Sequence, residues 1–76
     1  MTQEEIDTLV RAEEAAFIEL QRQAAVMADD SSTEIGPDLV ERSARPGFEH
    51  AVRIDGAVDL MALTLAVIRS VKQDAT

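Results

Sequence analysis

The sequence predicts a mainly α fold: a long-helix antiparallel hairpin with a short middle helix and one extended segment, dimerising into a four-helix arrangement. Three observations lead there. No proline or glycine occurs from Thr2 to Ala28. A second helical stretch, Ala57–Gln73, carries apolar side chains around more than half of its circumference. The whole chain is only 76 residues long and has no cysteine, so it forms one domain, 1–76, that cannot cover so much apolar helix by itself.

The first helix is expected over Thr2–Ala28. Thr2 and Glu5 stand three apart, the spacing of a capping box, and Glu4, Glu5 and Asp7 place negative charge where the helix dipole favours it. At 1.5 Å per residue it is roughly 40 Å long. Ile6, Leu9, Val10, Ala16, Phe17, Leu20, Ala24 and Met27 form a broad apolar stripe, with Thr8, Arg11, Glu19 and Arg22 opposite. Glu13 interrupts the stripe, and Ala15, Ile18 and Val26 make a weaker apolar strip on the polar side. Apolar residues on two sides imply more than one neighbour.

Asp29–Pro37 reads as a loop, rich in turn formers and closed by Gly36-Pro37. Pro37–Ala44 reads as the short helix, with proline at its first position and acid-first pairs Asp38–Arg42 and Glu41–Arg45 at i,i+4. Phe48–Asp55 is the extended segment: Phe48, His50, Val52 and Ile54 alternate with Glu49, Ala51, Arg53 and Asp55. Asp55-Gly56 admits two readings. It is a two-residue turn into a return strand Ala57–Leu60, or Asp55 is the N-cap of the last helix. The helical pattern from Ala57 onward favours the cap. In that helix Leu60, Met61, Leu63, Leu65, Val67, Ile68 and Val71 are expected at an oligomer interface.

A core of this size supplies only ~3–5 kcal/mol of net stability, and small proteins usually add disulfides, a metal or a partner chain. Without cysteine, and with His50 the sole histidine, thiolate and multi-histidine metal sites are excluded. Oligomerisation remains. The formal charge is −8, which argues against direct nucleic-acid binding and against an anionic membrane surface. It suits a basic protein partner. The acidic N-terminus lacks the pattern of a secretory signal, and Leu60–Ile68 is far short of a membrane span, so a cytoplasmic location is expected.

Candidate chemistry is sparse. Glu13, a carboxylate in an apolar stripe, could ligate a metal or act as a base, but a charged residue at the boundary of a wide stripe is the commoner arrangement. Glu49 and His50 complete the sole conceivable acid–base set, and on a strand they point to opposite faces. No nucleophile motif and no phosphate loop are present. The expectation is no catalytic site, no cofactor and no metal.

Three functions compete. The first is a small acidic interaction module, an adaptor, regulatory subunit or inhibitor, acting through a helical homo-oligomer. Its partner surface would comprise Glu14, Ile18, Glu19, Val26, Asp29, Asp30 and Glu34, an apolar centre with an acidic rim. The second is an acidic inhibitor of a nucleic-acid-binding defence protein, of the type phages encode, which would imitate nucleic acid. The third is an accessory enzyme subunit lending Glu13 or His50 to a shared site.

Overall fold

The computed structural model describes residues 1–27 and 35–74. Helix α1 (Gln3–Met27) is followed by strands β1 (Pro37–Arg42) and β2 (Val52–Gly56) and helix α2 (Leu60–Asp74). The fold is mainly helical but mixed, because the strands pair into a two-stranded antiparallel sheet. The chain divides into two compact units, Met1–Glu19 with Leu60–Thr76, and Leu20–Asp59.

In the first, helical unit, α1 starts at the cap its sequence announces. The Glu5 N–H donates to Thr2 Oγ1 at 3.2 Å, and the Ile6 N–H donates to the Thr2 carbonyl at 3.0 Å. The Thr2 hydroxyl in turn donates to the Glu5 carboxylate at 3.2 Å, so the two side chains of the box bond each other. The covered strip of α1 only partly follows the apolar stripe, taking in Ala16 and Phe17 along with residues outside it. Thr8, Ala12, Ala15, Ala16 and Glu19 are half-buried, whereas Ile6, Leu9 and Val10 are exposed. Thr8 and Glu19, expected on the outer side, therefore lie on the inner one. Small side chains let a neighbouring surface approach closely, and the many weak contacts so gained can outweigh the hydrophobicity of any single residue.

In α2 the two faces separate cleanly. Ala62, Leu63, Ala66, Val67 and Ser70 are half-buried and fall on one side at 100° per residue; Leu60, Met61, Thr64, Leu65, Ile68 and Val71 are exposed and fall on the other. The helix begins at Leu60, three residues later than the sequence suggests, and Asp59 takes the flanking position expected of Asp55. Asp55 and Gly56 instead end β2.

The second, hairpin unit corrects two further expectations. Pro37–Ala44 is not a helix; Pro37–Arg42 is β1. The i,i+4 ion pairs that favoured a helix are worth a few tenths of a kcal/mol each, and eight residues cannot sustain an isolated helix. Cross-strand pairing wins: Leu39 lies opposite Asp55, Val40 opposite Ile54, Glu41 opposite Arg53 and Arg42 opposite Val52, with a bulge between Pro37 and Leu39. Proline is tolerated at the first position of a strand. The extended segment is also shorter than expected. Arg45–Phe48 forms a turn closed by the Phe48 N–H to the Arg45 carbonyl at 3.1 Å, with Pro46 and Gly47 central and Gly47 at φ 86°. That is the residue pattern of a type II turn. A second turn, Phe48–Ala51, delays β2 until Val52.

Leu20, Gln23, Gly36 and Pro37 are the buried positions among the described residues, and all belong to this unit. Gln23, 2% exposed, bonds the backbone of Asp59 twice. Its Nε2 donates to the Asp59 carbonyl at 3.1 Å, and its Oε1 accepts the Asp59 N–H at 2.8 Å. A buried amide so satisfied carries little desolvation penalty. Gly36 lies against α1 so closely that a Cβ there would overlap the Gln23 carbonyl.

Candidate functional site

The surface that stands out is the outer face of α2. Leu60 is 71% exposed and Met61 83%, and Leu65, Ile68 and Val71 are exposed as well. Leu60, Met61, Leu65 and Ile68, with Thr64, line one open apolar depression. Its backbone is plain helix; Thr64 spends its hydroxyl within the helix, donating to the Leu60 carbonyl at 2.8 Å, and so offers the face little polarity. Of the seven residues expected at an interface, five lie on this face. Leu63 and Val67 turn inward, because the helical period sets them on the other side of α2 from Leu65 and Ile68. Val71 also lines a recess with Met1, Leu9 and Ala12 of the same unit.

The expected acidic surface is seen in part. Glu14 and Ile18 are exposed, Ile18 at 56%, while Glu19 and Val26 are half-buried. Glu19 already engages a neighbour within the chain. Asp29, Asp30 and Glu34 lie outside the described residues.

Glu13 is half-buried in the helical unit and has an interaction of its own. His50 is exposed in the Phe48–Ala51 turn of the hairpin unit. Beside it, the Glu49 carboxyl is held below its ordinary value, first by its own backbone N–H, then by that of Gly47, with a smaller contribution from His50. The Gly47 N–H donates to Glu49 Oε1 at 3.1 Å, so this carboxylate pins the turn. Among the described residues no three histidine, cysteine, aspartate or glutamate side chains gather to hold a metal, and no helix is long and apolar enough to cross a membrane.

One cluster escaped the sequence reading. Arg42, Arg45 and Arg53 line a shallow recess of the hairpin together with Glu41 and Ser43. Three of the chain's seven basic residues within positions 42–53 were the available signal. It was obscured because Arg42 and Arg45 were assigned to helical ion pairs.

Comparison of the chain with protein-family models, with curated proteins and with solved structures returned no match.

Proposed function

We propose that this protein is a small acidic interaction module, an adaptor, regulatory subunit or inhibitor, that acts through a helical dimer. The observation that carries the reading is the outer face of α2, where large apolar side chains from Leu60 to Val71 are exposed on a helix whose opposite side is already covered. Contiguous apolar surface of this kind marks sites of protein association. Two copies meeting there, each with its long helices antiparallel, make the four-helix arrangement. The partner beyond the dimer is a basic protein: the charge of −8 speeds encounter with one, and exposed Glu14 beside Ile18 offers acid at the edge of an apolar contact.

Light scattering coupled to size exclusion tests the dimer. The unmodified chain should run at no less than twice its 8.3 kDa mass, and Leu65→Asp, which places charge on an exposed position without entering the covered side, should stay folded and run at a lower mass than the parent. A parent that stays monomeric at every concentration removes the reading. Loss of partner capture on Glu14→Lys, with the dimer intact, supports the basic-partner half of it.

A further inference from the structure

Among the described residues, strand β2 faces β1 along one edge and no strand along the other. Which backbone groups point outward follows from one bond. The Ser43 N–H donates to the Ala51 carbonyl at 3.0 Å, so in this antiparallel register Glu41–Arg53 and Leu39–Asp55 are the hydrogen-bonded pairs, and Val40–Ile54 and Arg42–Val52 are not. Ile54 and Val52 therefore direct N–H and C=O away from β1. An open strand edge is a template for another strand. The outer edge of β1 is blunted by Pro37, which has no N–H, and by the bulge beside it; β2 has neither device before Gly56.

The sequence of β2, Val52-Arg53-Ile54-Asp55-Gly56, is self-complementary about its centre. Laid antiparallel on itself with Ile54 opposite Ile54, it sets Arg53 opposite Asp55 at both ends of the axis. We infer that β2 pairs edge to edge with β2 of a second copy, about a twofold axis at Ile54, to form a four-stranded sheet. Three independent features agree on that register. Ile54 has its N–H and C=O turned outward, so the central pair can exchange both hydrogen bonds. The two Arg53–Asp55 pairs are opposite in charge, whereas an axis at Arg53 or at Asp55 sets like charges face to face, which is destabilising. Val40 and Ile54 share one face of the hairpin, and Ile54 is 40% exposed, so pairing continues an apolar row across the axis. On the other face each Arg53 comes to rest between Glu41 of its own hairpin and Asp55 of the second copy. A two-stranded sheet alone is marginal in water, and four strands are not. This contact uses none of the outer face of α2 and stands apart from the function proposed above.

Amide hydrogen exchange on the unmodified protein tests it. In an isolated hairpin the Arg53 and Asp55 amides are protected and the Ile54 amide is free; in the paired sheet Ile54 becomes protected too. Its exchange should slow ~10-fold or more as the protein is concentrated into the dimer. Asp55→Arg, whose site faces Leu39 within the hairpin, should weaken this association ~10-fold or more by setting arginine opposite arginine. Arg53→Asp should do the same, and an equimolar mixture of the two variants should associate as the parent does, since each supplies the charge the other lacks. In Leu65→Asp the Ile54 protection should persist, which separates this contact from the one on α2. Ile54 exchange that is free and independent of concentration while Arg53 and Asp55 remain protected overturns the pairing, as does an Asp55→Arg chain that associates like the parent.

Discussion

The hairpin unit and the helical unit hold themselves together by opposite means. In the hairpin unit the interior is made of close backbone approach and satisfied polar groups: Gly36 against the Gln23 carbonyl, the Gln23 amide against both backbone groups of Asp59, and Leu20 and Pro37 buried beside them. Little apolar surface is involved, and the geometry tolerates few substitutions. In the helical unit apolar side chains are in surplus. The covered side of α2 is built on Ala62, Ala66 and Ser70 with Leu63 and Val67, and an equally apolar side is exposed. Shape decides the first unit and the amount of apolar surface the second, so substitutions should divide them sharply.

The largest effect is expected at Gly36→Ala. The added methyl collides with backbone, which cannot swing aside as a side chain can, and the cost should be about 3 kcal/mol. Chemical denaturation would register it as a lower midpoint with hairpin amides losing protection first. Gln23→Leu comes next. It keeps the volume but removes both hydrogen bonds to the Asp59 backbone, at about 2 kcal/mol. If Gln23→Leu proved neutral, the contrast between a polar-latched unit and an apolar one would collapse.

On α2 the comparison can be sharpened within one helix. Val67→Ala removes inward packing and should cost about 1 kcal/mol in any oligomeric state. Leu65→Ala should leave the monomer nearly unchanged while weakening self-association. Equal effects of the two on both properties would show that the faces are not distinct. Thr2→Ala, at the cap of α1, should cost about 1 kcal/mol, read as fraying of the first turn by circular dichroism.

The smallest effect is expected at Glu49. Its carboxyl is held low in the folded chain by the backbone N–H groups of Glu49 and Gly47, so the folded state binds a proton less readily than the unfolded one. The resulting stabilisation is present above the unfolded carboxylate value and fades as pH falls through the lower folded one. Glu49→Gln should remove that slight acid sensitivity and nothing else. Titration by NMR through the acidic range would show it.

The helices were legible because their signals are local and repeat. The capping box at Thr2 and Glu5 located the start of α1, and the apolar period located α2 to within three residues. The alternation of Val52, Arg53, Ile54 and Asp55 located β2. What escaped notice was long-range. Nothing near Pro37 announces that its pairing partner is Gly56, and the charges at 38, 41, 42 and 45 satisfy a helical spacing that the sheet then overrides. For the same reason Gln23 read as one more polar residue of α1. Its role depends on Asp59, which no periodicity connects to it. The exposed apolar residues were identified as a set, but the split of α2 into two faces needed the start of the helix and its covered side together.

The Gln23–Asp59 contact also bears on the order of events as the chain folds. Its two ends are 36 residues apart, and the loop between them must be closed before either hydrogen bond can form. Helix α1 and the β1–β2 hairpin have no such requirement, since each is assembled from nearer neighbours. The latch is therefore expected to close late in assembly. Contacts made after the transition state govern how fast a protein comes apart and leave its rate of folding almost untouched. Gln23→Leu is therefore expected to hasten unfolding of the hairpin unit more than it slows folding.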